Sequence, residues 1–303
     1  MRTAYLGTSG FAATVLRRLA DSRHRPALVV TPPDSRRGRG RKLAPPPAAE
    51  AAREMAMQLH QTPDVNSDAS LAAIRAVGPE TIVVCAFGQL IKEPLLSEFL
   101  LLNVHPSLIP RWRGAAPIER ALMAGDGRTG VTIMRVTAGL DSGPVALAEE
   151  VPVAESDDYA SLSARLAEVA GGLLLRALDA FGAGKLEFTE QDESRASYAE
   201  KIRPEERHLD PNRPAPELEL TVRALTPHVG AYLELDDGSR LGVRASAPVP
   251  DGPGPGSIEA RDDGFLLGTA DGALRLETVQ PPGKKPMSAA DFLRGHEPPT
   301  KAV

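Results

Sequence analysis

Two polar residues at the end of an apolar segment have the types and the spacing that acyl chemistry needs. Asn103 and His105 are two positions apart, so in a strand both side chains leave the same face. An amide and an imidazole aimed at one point can bind a carbonyl oxygen that is gaining negative charge. Asp141 follows between Gly139 and Gly143, and a carboxylate there can orient the imidazole and manage the protons of an attacking amine. These side chains favour an acyl-transfer site, with a structural Asn-x-His pair and a turn aspartate as the alternative.

The elements that must position these residues alternate between apolar runs and helical periodicity. Strands are expected at residues 4–7, 28–30, 81–86, 101–104, 131–136 and 145–153. Helices are expected at residues 11–19, 48–59, 71–77, 115–123 and 161–181. This βαβα order predicts an α/β fold with a Rossmann-like, doubly wound and mostly parallel sheet. Residues 145–153 are expected to pair antiparallel.

The last third of the chain has a different texture. Short apolar runs at residues 232–235, 241–243, 265–267 and 274–276 are separated by turns such as Asp237-Gly238 and Asp271-Gly272. Strands of this length and spacing predict a small, OB-like β-barrel. The boundary is placed near residue 205, giving a catalytic domain at 1–205 and a C-terminal domain at 206–303.

Composition narrows the class of protein. The 303 residues carry a formal net charge of −5 and are 42% hydrophobic, as in an ordinary globular protein of about two domains. Cys85 is the only cysteine, which excludes a disulfide within the chain and cysteine-rich metal sites. Its apolar neighbours predict a buried structural thiol. The cytoplasm is the expected compartment, and no membrane segment is expected.

Other candidate residues are weaker. The segment Gly7-Thr8-Ser9-Gly10 lies between a strand and a helix but lacks dinucleotide spacing, so tight turning is the preferred interpretation. Four histidines have no partner at metal-ligand spacing and are expected to be solvated: His24, His60, His208 and His296. No metal site is expected.

Residues 103–110, Asn-Val-His-Pro-Ser-Leu-Ile-Pro, resemble the Asn-x-His-x-Ser-Leu-Leu-Pro signature of the 10-formyltetrahydrofolate-dependent formyltransferases. The resemblance implies that Asn103, His105 and Asp141 are the catalytic trio and that 10-formyltetrahydrofolate is the co-substrate. It also implies a set of folate-binding residues: Phe87, Gly88, Ser107, Leu108, Ile109 and Pro110.

The flanking segments are similar to the branch of that family that formylates methionyl-tRNA. The similar segments are residues 111–118, 130–134, 139–143 and 280–293. The resemblance implies an initiator methionyl-tRNA acceptor, a tRNA-binding C-terminal domain and a monomer. The chain departs from the family pattern at Ser9-Gly10, and at residues 226–229, where the family has an aromatic segment.

A basic loop at residues 34–42 is the main candidate for contact with RNA. Its cations are Arg36, Arg37, Arg39, Arg41 and Lys42. Composition alone leaves a solvated loop and a phosphate-binding loop equally open. The resemblance favours the second, because an insertion at this place contacts the acceptor stem in the family.

Three alternatives remain at this level. A formyltransferase of the same superfamily can act on an amino-sugar nucleotide instead of tRNA. A catalytically idle tRNA-binding protein would need no acyl-transfer site. The glycines alone would suggest a nicotinamide-dependent dehydrogenase.

Overall fold

A computed structural model describes residues 1–37, 42–261 and 264–303. The chain divides into two compact units. Unit 1 contains Met1–Gly114, Arg128–Pro152 and Ser163–Ala199, and unit 2 contains Ala115–Gly127, Val153–Leu162 and Glu200–Val303. The domain boundary near residue 205 stays a prediction.

The first 199 residues form eleven strands and six helices among those the structure describes. The strands are β1 (Thr3–Gly7), β2 (Leu28–Thr31), β3 (Ser35–Arg37), β4 (Lys42–Ala44), β5 (Leu59–Gln61), β6 (Thr81–Cys85), β7 (Leu100–His105), β8 (Arg113–Gly114), β9 (Arg128–Arg135), β10 (Val145–Pro152) and β11 (Tyr198–Ala199). The helices are α1 (Gly10–Ala20), α2 (Pro47–Glu54), α3 (Asp68–Val77), α4 (Leu95–Glu98), α5 (Pro117–Met123) and α6 (Tyr159–Gly182).

The sheet of unit 1 has seven strands in the order β10-β9-β7-β6-β1-β2-β5. The strands from β7 to β5 run parallel, whereas β9 is antiparallel to both β7 and β10. All five residues of β1 and of β6 are buried, as expected for strands that are covered on both faces. The predicted α/β class and mostly parallel, Rossmann-like sheet are confirmed.

Helices pack against both faces of this sheet. On one face, Ala4, Leu6, Ile82 and Val84 form a core cluster with α3. On the other, the hydroxyl of Tyr5 donates to the carbonyl of Ala12 in α1 at 2.7 Å. Alternate residues of the same strands therefore serve two layers of helices.

The glycine-containing turn after β1 has a packing role. A Cβ on Gly7 would lie 2.6 Å from the Tyr5 ring, and Ser9 caps α1 by accepting from the N–H of Ala12.

Cys85 is fully buried beside Tyr5, and burial raises the pKa of its thiol to about 12. The prediction of a buried structural thiol is confirmed.

Unit 2 is built around an antiparallel sheet. Its strands are β12 (Ala231–Glu234), β13 (Arg240–Val249), β14 (Ile258–Arg261), β15 (Gly264–Gly268), β16 (Ala273–Gln280) and β17 (Met287–Ser288), and its further helices are α7 (Ala215–Leu225) and α8 (Ala289–Leu293). The order is β12-β13-β16-β15-β14, with β17 on β16. Isolated bridges join Ala302 to Leu235 after β12 and Lys301 to Ser257 before β14. The end of the chain thus links the two edges of the sheet, which limits exposed strand edges.

Three expectations need correction. The helix expected at residues 48–59 ends at Glu54, because Ala56 adopts a left-handed backbone that reverses the chain into β5. Helix α7 was missed, although Leu218, Val222 and Leu225 repeat at helical spacing and are buried. His24 is buried rather than solvated, and its imidazole pairs with Asp179.

No helix among the residues described is long and apolar enough to cross a membrane.

Candidate active site

Strand β7 supplies the first two site residues. Asn103 is its fourth residue and His105 its last. The strand lies between β6 and β9, with Asn103 beside Val84 on one side and Met134 on the other. Both side chains therefore belong to an internal strand of the sheet, whose backbone is hydrogen-bonded to a neighbouring strand on each side.

Asp141 reaches this strand from the loop between β9 and β10. The N–H of Val136, the first residue of this loop, bonds to Leu101 O at 2.9 Å. The loop therefore begins beside Leu101 of β7 and turns back toward Asn103. The carboxylate of Asp141 accepts from Asn103 Nδ2 at 3.1 Å, and its Oδ2 lies 3.6 Å from Nδ1 of His105. The structure brings the three predicted side chains together.

The segment after β7 also contacts this group through its backbone. Nε2 of His105 is 2.8 Å from the carbonyl oxygen of Trp112. Since a carbonyl only accepts, Nε2 carries the hydrogen, and Nδ1 is the nitrogen that faces Asp141. The N–H of Gly114 donates to Asp141 Oδ2 at 2.9 Å. Each carboxylate oxygen of Asp141 thus has a fixed donor.

A cavity of about 250 Å³ opens at this place, and both Asn103 and Asp141 line it. Its apolar wall includes Leu90 and Leu140, which are 68% and 63% exposed. Apolar side chains that line a cavity beside polar groups suit an apolar ligand ring. His105 is only 4% exposed and lies behind Asp141, outside the lining of the cavity.

The residues predicted to bind folate lie around the site without lining this cavity. The hydroxyl of Ser107 donates to Arg111 O at 2.6 Å and is fully buried. Leu108 packs so closely on Gly130 that a Cβ there would lie 2.6 Å from its methyl group. Neither Ile109 nor Pro110 is among the lining residues. Their role in folate binding stays a prediction.

Phe87 and Gly88 precede a segment that does line the cavity. Phe87 is 3% exposed within the core, and its carbonyl accepts from the hydroxyl of Thr8 at 2.7 Å. Gly88 has a φ of 79°, a conformation that favours glycine. The next three residues, Gln89, Leu90 and Ile91, form part of the cavity wall. Contact of Phe87 and Gly88 with folate stays a prediction.

The basic loop is described only at its two ends. Arg36 and Lys42 lie on β3 and β4, which pair antiparallel, and both side chains are exposed. Arg37 pairs with Lys42 through its backbone in the same ladder. Arg39 and Arg41 lie outside the described residues. Contact of these cations with RNA stays a prediction.

Metal binding was not expected from the sequence. Within residues 1–37, 42–261 and 264–303, no three His, Cys, Asp or Glu side chains form a group that could hold a metal ion. The expectation of metal-free catalysis stays a prediction.

The fold is that of the doubly wound α/β proteins, which bind ligands at the ends of their sheet strands. The Formyl transferase family model matches residues 1–178, and the model of the Formyl transferase C-terminal domain matches residues 201–297. The chain belongs to the formyl transferase family. The resemblance inferred from residues 103–110 is therefore confirmed.

Curated relatives resemble the chain over nearly its whole length. The methionyl-tRNA formyltransferase of Phenylobacterium zucineum is 41% identical over 300 residues, which cover 97% of each chain. That of Pseudomonas paraeruginosa is 42% identical over 295 residues, or 96% of this chain and 95% of the relative. Among solved structures, HypX from Aquifex aeolicus in complex with tetrahydrofolic acid has a TM-score of 0.66 and 20% identity. This chain is covered completely but spans only 50% of HypX, and the likeness shows the fold.

Proposed function

We propose that the chain transfers the formyl group of 10-formyltetrahydrofolate to the amino group of methionine on initiator methionyl-tRNA. The observation that carries the proposal is the meeting of Asn103, His105 and Asp141 beside an open cavity. The acceptor is inferred from relatives of that name at 41% and 42% identity along both chains. The relatives match the C-terminal third of the chain as well as the catalytic part.

Asn103 is assigned to the formyl oxygen. Its Nδ2 has two hydrogens, and one of them is donated to Asp141. The second can be donated to the oxygen that becomes negative when the amine attacks the formyl carbon. The bond to Asp141 holds the amide in one orientation, so the donor does not need to reorganise during the reaction.

Asp141 and His105 are assigned to the protons. Asp141 lines the cavity in which the acceptor amine is proposed to bind, and its Oδ2 lies 3.6 Å from Nδ1 of the buried His105. The new C–N bond releases one amine proton, which Asp141 accepts and shares with Nδ1 of His105. When the bond to the folate nitrogen breaks, the same proton passes to that nitrogen, directly or through a water. The sequence hypothesis that His105 donates directly to the oxyanion stays a prediction.

The formyl donor is assigned to the cavity. The residues present fit such a group, because an apolar wall with Leu90, Ile91 and Leu140 faces the polar pair Asn103 and Asp141. A flat ring system can lie on the apolar wall while its reactive substituent meets the polar pair.

Two surfaces are assigned to the tRNA. The first is the basic loop, with Arg36 and Lys42 exposed at its ends. The second lies on β12 and β13 of unit 2, where the guanidinium of Arg240 stacks 4.4 Å from the centre of the Tyr232 ring. The guanidinium of Arg207 lies 5.9 Å from the centre of the same ring, and Arg207 forms no ion pair with a carboxylate in the part of the chain that is described. Arg240 also lies 3.8 Å from the carboxylate of Glu234. Arginines beside an aromatic ring suit a phosphate backbone and its bases.

The decisive experiment is a formyl-transfer assay with purified protein, 10-formyltetrahydrofolate and charged tRNA. We expect formylation of initiator methionyl-tRNA, and formylation slower by about 10²- to 10³-fold with the Asn103→Ala variant at matched concentration. A dTDP-linked amino sugar as acceptor tests the alternative activity. Formylation of the sugar without formylation of the tRNA would overturn the proposal. We also propose that the protein is a monomer, which light scattering of the same sample tests. Its proposed compartment is the cytoplasm, because initiator tRNA is charged there.

A further inference from the structure

The loop that carries Asp141 has an unfavourable backbone conformation. Asp141 has a φ of 45°, in the left-handed region that residues with a side chain rarely adopt. Residues persist there only when surrounding groups hold them. Leu140 is 63% exposed, so little apolar packing on that side chain contributes to holding the loop. The position of the carboxylate therefore depends on polar contacts to the loop.

Gln191, 50 residues further along the chain, supplies two of these contacts. Its Nε2 donates to the carbonyl of Asp141 at 2.9 Å and to the carbonyl of Gly143 at 2.6 Å. Both hydrogens of the amide are thus used on the two carbonyls that flank Ser142. The side chain of Gln191 therefore bridges the backbone on the two sides of Ser142, although Gln191 is not part of this loop.

Arg113 fixes the orientation of that amide. The Oε1 of Gln191 accepts from Nε and Nη2 of Arg113 at 3.0 and 2.6 Å. A guanidinium only donates, so the amide oxygen must face it and the NH₂ group must face the loop. Arg113 is 1% exposed and is itself held by Glu193 through bonds of 2.9 and 2.6 Å.

We propose that Gln191 is a positioning residue for formyl transfer and acts through the backbone of Asp141. The carboxylate reaches Asn103 and the N–H of Gly114 only while the backbone of its loop stays in this conformation. Gln191 touches neither substrate nor the reacting atoms. This inference rests on the proposed function for its kinetic test.

The Gln191→Glu variant separates the two halves of the side chain. A glutamate keeps an oxygen that accepts from Arg113, and its charge favours that contact. The substitution replaces the NH₂ group, which donates to the carbonyls of Asp141 and Gly143, by an oxygen that these carbonyls repel. The matched control is Gln58→Glu, the same chemical change at an exposed position of unit 1.

We expect the kcat of Gln191→Glu to fall about 100-fold, with the KM of each substrate within about twofold of wild type, because a small misplacement of a catalytic group acts on the chemical step. The control is expected to keep the wild-type kcat. In the Asp141→Asn background, Gln191→Glu is expected to cause little further loss, since both changes act on one carboxylate. A kcat within twofold of wild type, or losses that multiply in the double variant, would overturn the proposal. If Gln191→Glu does not fold, Gln191→Met replaces it with the same criteria.

Hydrogen exchange of the substrate-free protein gives a readout that needs no activity. Peptides covering residues 137–144 are expected to exchange faster in Gln191→Glu than in wild type and in Gln58→Glu. Unchanged exchange in this loop would contradict the inference. If wild-type protein formylated no tRNA while the loop still loosened, the proposed function would fail and the hold of Gln191 on the loop would stand.

Discussion

Nδ2 of Asn103 donates a hydrogen bond of 3.1 Å to Oδ1 of Asp141, 38 residues away in sequence. This single contact couples the group assigned to the formyl oxygen with the group assigned to the protons. Since each residue orients the other, a change at either one is expected to reach both functions.

Asn103→Ala removes the proposed donor to the developing oxyanion. We expect kcat to fall by about 10²- to 10³-fold, the usual cost of one such donor, measured as single-turnover formylation of initiator methionyl-tRNA. Asn212→Ala, at an exposed turn of unit 2, serves as the control. Near-normal turnover by folded Asn103→Ala would refute the role assigned to this amide.

Asp141→Asn keeps the shape of the side chain and removes its charge. The single oxygen of an amide can still accept from the N–H of Gly114, which keeps that contact to the loop, but the NH₂ group then faces Nδ2 of Asn103 and the bond between these two side chains is lost. We expect kcat to fall at least about 100-fold, because Asp141 is the only carboxylate among the described residues that line the cavity. The measurement is kcat over a series of pH values, with the exposed Asp251→Asn as the comparison. A variant as active as Asp251→Asn would exclude Asp141 from the proton transfer.

Two glycine-to-alanine changes are expected to have opposite effects. A Cβ on Gly143 would lie 1.9 Å from the carbonyl oxygen of Arg135, so Gly143→Ala must displace the loop of Asp141 and lower activity strongly. Gly172 lies within α6 with no atom within 4 Å of the added Cβ. Gly172→Ala should therefore raise the free energy of unfolding by about 0.5–1 kcal/mol, the helix-propensity difference between the two residues. Urea unfolding and turnover, measured on both variants, test the pair. If the turnover of Gly143→Ala equalled that of Gly172→Ala, the loop of Asp141 would tolerate the displacement.

The ion pair of Arg120 and Glu206 in unit 2 is expected to make stability depend on pH. Hydrogen bonds from Arg120 at 2.6 and 3.1 Å lower the pKa of Glu206 to about 2. A carboxylate with a lowered pKa contributes stability above its unfolded value, near 4.5, and loses it as the pH falls toward about 2. Glu206→Gln should unfold more easily at pH 7, by about 1 kcal/mol, the upper end of the range for a pair that solvent partly screens.

The difference between wild type and Glu206→Gln should narrow as the pH is lowered from about 4.5. Urea unfolding at pH 7, 5, 4 and 3 measures it, and Glu205→Gln is the control because Glu205 is exposed. A difference that stayed constant over this range would show that the effect does not come from the ionised carboxylate.

Exposed cations of the basic loop are expected to matter for tRNA alone. Changing Arg36 and Lys42 together to Ala should raise the KM for tRNA several-fold, and the folate KM should change little. The effect should be largest at low salt, because phosphate contacts release counterions. Steady-state kinetics at two salt concentrations measure it. An equal rise in both KM values would point to a general defect of the protein.

Local patterns in the sequence predicted most of the fold. The buried strands β1 and β6 have continuous apolar runs, and α1 and α6 have helical periodicity, so each segment indicates its own structure. The end of α2 could not be predicted in this way, because the reversal at Ala56 needs a left-handed backbone that its side chain does not favour.

Residue types and the family resemblance were enough to select Asn103, His105 and Asp141 from the sequence. The resemblance also made the basic loop and the Ser107 segment candidates for binding, which stays a prediction. Which nitrogen of His105 faces Asp141 was decided by the Trp112 carbonyl, a backbone atom that no sequence pattern marks. The contribution of Gln191 was equally hidden, since it stands in a polar stretch far from the other site residues.

The sequence by itself determined most of the elements, the candidate catalytic side chains and the family, because these depend on residue types over short spans. Only the tertiary structure decided which groups line the cavity, which nitrogen of His105 faces Asp141 and which distant side chain holds the loop of Asp141. Those properties arise from contacts between residues up to 78 positions apart, from Arg113 to Gln191, and from backbone hydrogen bonds that any residue type can make.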